Sequence, residues 1–392
     1  MRLDVIVVGA GPAGATAAYD LGRRGMRVLL VEKHGLPRDK ACGGGVTAKV
    51  ARLLPFDLSP IIERSISTVD LSWRLKRSTS MRSGEPLVHM VRRRTFDEFL
   101  VRHAAASGNV SLADGLAVRS VEATSRGVRI QTERGAWEAD FLIGADGANG
   151  VVARAMGLMR DRQLMPAVET EWSVGAADAD RWSDRLGLDI GSVRGSYGWV
   201  FPKGDHLNVG VGCFTDRAEA VRQLRRYDAR HASHQVSGPA RVLRRVGFVL
   251  PLRRPGAAIV RGRVLLAGDA AGLVEGFTGE GIYWAVRSGI IAAHAIAQSS
   301  GRENAAGGLA CYQARIDAEL MPDLVAARRW AQIYIRWPRS CYWMPTRVPA
   351  VWRTVEKLLR GERGFSQLRE RLGAWGFLAD MLAPELARAS PG

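Results

Sequence analysis

Cysteine is scarce in this chain, with four in 392 residues. Cys42, Cys213, Cys311 and Cys341 lie far apart, which excludes both a disulfide framework and paired metal-ligand spacing. No apolar run reaches the ~18 residues of a transmembrane span. A strand-like segment begins at Asp4, so no charged-then-apolar leader is expected. Internal repeats and low-complexity linkers are also missing. These absences describe a cytoplasmic globular protein with no metal. Its length, with 47% hydrophobic and 24% charged residues, suits two domains and a sizeable core.

Acidic residues are also in short supply. Against 56 Lys and Arg stand 39 Asp and Glu, a net charge of +17. Three sources fit this excess: a coding bias toward arginine, a peripheral contact with an anionic membrane surface, or nucleic acid. Nucleic acid ranks last, because the arginines run along the whole chain and no nucleic-acid module is visible.

Glycine, by contrast, is plentiful, and two glycine-rich turns carry the chemistry. The first follows the apolar run Asp4-Val5-Ile6-Val7-Val8, which reads as a buried parallel strand. Gly9-Ala10-Gly11-Pro12-Ala13-Gly14 then matches GxGxxG, and a helix over 15–24 and an apolar strand over 27–31 follow, ending at Glu32. Strand, glycines, helix, strand and acid in that order make a dinucleotide fingerprint: Gly9 for the tight turn, Gly11 for close approach of the pyrophosphate, Gly14 for close packing of helix on strand, and Glu32 on the ribose. The second turn, Gly268-Asp269-Ala270-Ala271-Gly272 through Gly279-Glu280-Gly281-Ile282, lies between an apolar strand at 264–267 and a helix over 282–296. Asp269 can accept from a hydroxyl, and the helix start offers free backbone N–H groups.

Between these turns the spacing predicts a helix over 96–107 with Arg93 just before it, and short strands near 115–121, 128–132 and 136–138. An apolar strand then ends in Gly144-Ala145-Asp146-Gly147, where Asp146 is placed to cap a helix starting at Val151. Residues 193–200 and 206–213 read as antiparallel strands joined at Pro202-Lys203-Gly204-Asp205, with 67–75 and 87–91 as further members of that sheet. Residues 305–392 read as helical and hold Trp330, Trp337, Trp343, Trp352 and Trp375. These tryptophans fit a helical cap over a pocket or a membrane-interface contact. The expected fold is mixed α/β: a discontinuous Rossmann-like dinucleotide-binding domain (1–60, 92–160 and 256–304), an inserted antiparallel sheet for substrate (61–91 and 161–255), and a helical C-terminal region (305–392).

The GxGxxG turn, the Gly-Ala-Asp-Gly strand end and the Gly-Asp turn occur in an order that resembles the FAD-binding fold of the p-hydroxybenzoate hydroxylase superfamily. Within it, four segments resemble the geranylgeranyl reductase family: Pro37-Arg38-Asp39-Lys40-Ala41-Cys42-Gly43-Gly44-Gly45, Arg93-Arg94-Thr95-Phe96-Asp97, Tyr197-Gly198-Trp199-Val200-Phe201-Pro202-Lys203-Gly204, and Thr278-Gly279-Glu280-Gly281-Ile282. The resemblance covers residues 3 to about 300. One departure is Gly276, where many members carry a turn-stiffening proline.

This resemblance implies an FAD-dependent reductase that saturates C=C bonds of a prenyl chain, with NADPH or ferredoxin as electron donor and a prenylated small molecule or lipid as substrate. It places FAD on Gly14 and Glu32 at the pyrophosphate and ribose, and on Cys42, Gly43 and Gly45 at the flavin. Arg93 would reach the phosphates or ribityl chain, and Ala117 the adenine. Asp269 would serve the ribityl–pyrophosphate arm, and Gly281 and Ile282 the flavin edge. Cys42 is either a proton-relaying thiol beside the flavin or a small buried loop residue. Tyr197 and Trp199 either wall the substrate pocket or pack in the core. The alternatives on the same fold are an aromatic hydroxylase using NADPH and O2 and a flavin-dependent halogenase. The halogenase segment opens with Trp and carries Ile, where this chain has Tyr197 and Phe201, and Cys42 likewise favours the reductase.

Overall fold

The computed structural model describes residues 3–124, 126–214, 226, 227, 230, 238, 240–300 and 309–371; Trp375 lies outside them. The Leu3–Val8 strand is the centre of an eight-stranded sheet. It pairs in parallel with Val28–Val31 on one side and with Gly135–Gly144 on the other. Val110–Ala113, Val264–Leu266 and the short Val260–Arg261 strand extend the sheet outward. Helix Pro12–Arg23 lies over this sheet between Arg93–Ala105 and Ile282–Ser299. A Cβ at Gly289 would sit 2.4 Å from the Ala13 carbonyl oxygen, so glycine there lets the first and last of these helices touch backbone to backbone.

The Gly135–Gly144 strand corrects one expectation. The short strand at 136–138 and the apolar strand before Gly144 are one continuous element. Its first half alternates in burial and pairs antiparallel with Val128–Thr132, whereas its second half is buried and pairs with Leu3–Val8 and Val264–Leu266. Alternation suits a sheet wet on one face, and a continuous apolar run suits one covered on both.

A seven-stranded sheet runs in the order Arg241–Leu252, Gln163–Ser173, His206–Cys213, Ser196–Pro202, Arg185–Ile190, Thr68–Trp73, Arg77–Arg82. All its pairings are antiparallel except the parallel contact of Arg185–Ile190 with Thr68–Trp73. Thr68–Trp73 therefore joins this sheet as expected. Val88–Met90 does not: it forms a separate small sheet between Gly45–Thr47 and Arg64–Ile66. The helix expected at 96–107 begins three residues earlier, at Arg93, so Arg93 is its first residue and Asp97 lies one turn on, at i+4.

Helices Ala310–Glu319, Met321–Arg336, Pro338–Arg347, Pro349–Leu359 and Phe365–Arg371 make up the described C-terminal region. They tie the two large sheets together. The Tyr312 hydroxyl donates to the Leu266 carbonyl at 2.6 Å, Tyr334 donates to the Ser196 carbonyl, and Tyr342 packs on Trp73 with ring centroids 5.9 Å apart. Trp343 and Trp352 pack half-buried against the seven-stranded sheet, whereas Trp337 stays 39% exposed.

Candidate active site

One cavity of about 570 Å³ runs from the first glycine turn to the seven-stranded sheet. Gly9, Gly11, Glu32, Cys42, Gly43, Arg93, Ala117, Asp269, Gly281, Ile282, Tyr197 and Trp199 all line it. Gly14 and Gly45 do not. Gly14 sits beneath the turn, where an added Cβ would fall 1.9 Å from the Gly9 carbonyl oxygen. Gly45 opens the strand that pairs with Met90, which turns it away from the cavity.

The turn is shaped for a ligand with phosphates. Gly9 has φ +102°, which L side chains rarely adopt. At Gly11 an added Cβ would meet nothing nearer than Arg38 Nη2 at 3.7 Å, which leaves open space above the backbone. Helix Pro12–Arg23 has no side-chain cap, so its first N–H groups remain available to an anion. Glu32 is 4% exposed, accepts from the Ala10 amide at 2.9 Å and the His34 amide at 3.2 Å, and pairs with Arg38 Nε at 3.2 Å. Asp146 caps the Val151–Ala155 helix through the Val152 amide at 3.0 Å and also lines the cavity.

Arg38 bridges Glu32 to a second buried carboxylate, Asp97, at 3.1 Å. Asp97 in turn accepts both prongs of Arg93, Nε and Nη2, at 2.8 Å each. Burial works against the Arg93 charge, but Asp97 and Cys42 overrule it, so the guanidinium holds its proton more firmly than usual. Arg93 thus faces the cavity from a fixed position between Asp97 and Cys42.

At the opposite turn Asp269 pairs with Lys40 Nζ at 3.1 Å. Burial would raise its pKa, but Lys40 and Arg93 outweigh burial and hold the carboxyl below the usual range. The turn that lacks proline at 276 is stiffened otherwise. Buried Glu275 accepts from the Phe277 and Thr278 amides, the latter at 2.8 Å, and from the Thr278 hydroxyl. A Cβ at Gly276 would lie 3.0 Å from Arg328 Cγ, so glycine makes room for that arginine, which donates to the Arg253 carbonyl. The Ile282–Ser299 helix also starts without a side-chain cap, leaving N–H groups at the edge of the cavity.

The sheet supplies the remaining wall. Tyr197, Trp199, Phe201 and Phe214 form a run of rings with successive centroids 6.0 to 6.2 Å apart, and Met165, Phe248, Val249 and Leu250 continue it. Trp199 lies on Gly210, where a Cβ would come 2.2 Å from the ring, and its indole Nε1 donates to Asn208 Oδ1 at 2.8 Å. The Tyr197 hydroxyl donates to the Thr278 carbonyl, which joins sheet to turn. Wall and core are therefore not alternatives for Trp199: it is 6% exposed and lines the cavity.

Several residues of the site carried no assigned role in the sequence. Arg38, Lys40, Asp97 and Lys203 all stand in motifs quoted above, and a charged residue inside a motif was the available signal. Glu169 had none: it is one residue of an ordinary strand. Among the described residues no cluster could hold a metal ion.

A largely parallel sheet with a glycine turn, a buried ribose-side acid and a Gly-Asp turn facing one cavity defines a flavin-dinucleotide-binding protein. The family model described as "FAD binding domain" matches residues 2–318. The chain is 31% identical over 318 residues to a chloroplastic geranylgeranyl diphosphate reductase of Oryza sativa, covering 76% of this chain and 67% of the relative. It is 32% identical over 336 residues to a digeranylgeranylglycerophospholipid reductase of Methanothrix thermoacetophila, covering 80% and 83%. A geranylgeranyl bacteriochlorophyll reductase-like protein of Thermoplasma acidophilum, 22% identical, has the same fold with a TM-score of 0.73 over 98% of both chains. The chain belongs to the geranylgeranyl reductase family of FAD-dependent oxidoreductases.

Proposed function

We propose that this protein saturates C=C bonds of a prenyl, geranylgeranyl-type chain. One observation carries the reading. Among the described residues, the sheet side of the cavity contributes aromatic, aliphatic, cysteine and glycine residues and no Asp, Glu, Lys, Arg or His. Such a wall gains from an apolar chain and leaves a charged aromatic acid unpaired. The relatives' names, geranylgeranyl diphosphate reductase and digeranylgeranylglycerophospholipid reductase, point the same way.

FAD, when bound, supplies the hydride. Gly9, Gly11, Glu32 and Arg93 would hold its dinucleotide arm, with Asp269, Gly281 and Ile282 toward the flavin. The residues of this chain then do three things. Tyr197, Trp199 and Phe201 align the chain and exclude water. The N–H groups at the start of the Ile282–Ser299 helix favour negative charge at the ring edge. Cys42 carries the proton for the second carbon.

Anaerobic, dithionite-reduced protein incubated with a panel of prenylated compounds is expected to return a product heavier by two hydrogens. Cys42→Ala is expected to lower that turnover by roughly 100-fold. No mass gain with any prenyl compound, or substrate-dependent oxygen uptake, would overturn the reductase reading, and wild-type turnover in Cys42→Ala would remove the thiol from it.

We further propose that the C-terminal helices rest on an anionic membrane. Residues 329–355 carry Arg329, Arg336, Arg339, Arg347 and Arg353 and no acid. At the ends of the Pro338–Arg347 helix, Trp337, Met344 and Val348 are 39%, 51% and 44% exposed, as an interfacial anchor requires. Among the described residues no helix is long and apolar enough to cross a membrane. Co-flotation with phosphatidylglycerol vesicles, lost in a Trp337→Ser/Val348→Ser double variant, is the expected result; equal flotation of the double variant refutes this surface.

A further inference from the structure

Glu169 and Lys203 lie outside the cavity lining, yet they are 1% and 5% exposed. Both hydrogen-bond to the backbone of the loop that carries Cys42. Glu169 Oε1 accepts from the Cys42 amide at 3.0 Å, and Lys203 Nζ donates to the Gly43 carbonyl at 2.6 Å. Between them the Gly44 amide donates to Cys42 Sγ at 3.3 Å. The loop has no slack. Gly44 has φ +67° and a Cβ there would meet the Val91 carbonyl oxygen at 2.2 Å and Lys203 Nζ at 2.7 Å, while a Cβ at Gly43 would meet the Phe201 ring at 2.5 Å. Asn208, which holds the Trp199 indole, also lies against the Glu169 carboxyl. A chain of contacts therefore runs from the cavity wall through Asn208 and Glu169 to the Cys42 loop and on to Lys203.

Burying a carboxyl and an ammonium costs several kcal/mol each unless pairing and hydrogen bonds offset it. We propose that Lys203 returns the proton to the Cys42 thiol, and that Glu169 is the positioning residue that keeps the thiol's loop in register with it. The inference rests on Cys42 as proton carrier under the proposed prenyl reduction. The Cys42 S–H bond breaks as its proton joins the carbon next to the one that takes the hydride, and the S–H electron pair stays on sulfur. An Nζ–H bond of the Lys203 ammonium then breaks, its proton re-forms the thiol, and the neutral amine is refilled from water.

The electrostatics fit this task. Burial pulls Lys203 down to about 8, against the opposing charges of Cys42, Glu169, Glu63 and Glu171. Burial pushes Glu169 up to about 7, and Glu171 adds to that, while Asn208, the Cys42 amide and Arg244 oppose it. Arg93, paired with Asp97, faces the thiol from the other side and keeps its proton. Of the two cations Arg93 and Lys203, Lys203 is thus the one whose proton burial loosens.

Two measurements on flavin-loaded protein test this. The first needs no substrate: alkylation of Cys42 by iodoacetamide near neutral pH, followed at the Cys42 peptide, with Cys42→Ala as background. Lys203→Met is expected to slow it roughly tenfold, and Lys203→Arg to stay within about twofold of wild type, because arginine keeps the charge. The second is turnover against pH. Wild-type kcat should fall as pH rises through about 8, where Lys203 loses its proton. Lys203→Arg keeps the bond to Gly43 but releases no proton, so kcat should drop roughly 100-fold at unchanged KM, with the alkaline limb gone. Glu169→Gln should lower kcat several-fold at every pH and leave that limb in place. Retained flavin and an unchanged melting temperature qualify each variant, and Lys203→Gln replaces Lys203→Arg if that variant fails them. Wild-type alkylation in Lys203→Met overturns the proposed influence of Lys203 on the thiol. Wild-type kcat with an intact alkaline limb in Lys203→Arg, or in its glutamine replacement, overturns the proton supply. If wild type reduces no prenyl compound, the proposed function fails by itself, and the alkylation result still reads the link from Lys203 to Cys42.

Discussion

Gly14→Val protein is expected to purify without flavin. A Cβ at Gly14 would stand 1.9 Å from the Gly9 carbonyl oxygen and 3.2 Å from Ala145 Cβ. Both neighbours are held, because Gly9 N is bonded to the Val31 carbonyl at 2.7 Å and Ala145 N to the Val8 carbonyl at 2.8 Å. Relief therefore requires the Pro12–Arg23 helix to move away from the strand end, carrying its free N–H groups out of range of the pyrophosphate. The helix propensity gained by exchanging glycine for β-branched valine, under about 1 kcal/mol, does not offset that. We expect at least a 100-fold loss of FAD affinity, about 3 kcal/mol, read as the ratio of flavin to protein absorbance at matched folding by circular dichroism. A folded, fully yellow Gly14→Val protein would contradict the geometry.

Asp97→Ala is expected to cost about 3–5 kcal/mol of stability, the usual result of removing one partner from a buried ionic cluster. Asp97 is fully buried and takes three contacts, two from Arg93 and one from Arg38. Without it two buried guanidinium groups stand close together with only Glu32 to neutralise them. Asp97→Asn keeps the shape and one acceptor oxygen, so its loss should be smaller. Urea midpoints with constant m-value give the comparison. A loss for Asp97→Ala within about 0.5 kcal/mol, the range of an ordinary surface change, would show that the cluster is not held as the contacts indicate. Flavin content should fall with stability, since Arg93 and Arg38 both line the cavity.

Much of this site was legible because its cofactor half is local. Gly9, Gly11, Gly14 and Glu32 fall within one strand–helix–strand unit, and each is demanded by backbone geometry that a short stretch of sequence encodes. Boundaries were less legible. The expected break between 136–138 and the strand ending at Gly144 came from a change in pattern, alternating then continuous. The cause is a single strand that passes from a wet sheet into a covered one. The expected place of 87–91 in the large sheet failed because three strand-like residues carry no information about which edge they meet. Arg93 was read three residues ahead of its helix, and with that its pairing with Asp97, one turn away, went unseen.

By itself the sequence determined the class of cofactor and the order of the elements around it, since turns, helix starts and buried strands follow from neighbouring residues. Only the tertiary structure decided which charges meet. Lys40 finds Asp269 across 229 residues, Lys203 finds Gly43 across 160, and Glu169 finds Cys42 across 127. No local propensity selects such partners. Docking the substrate sheet onto the dinucleotide fold excludes water from the groups at the joint, and once dry they must pair with whatever stands opposite.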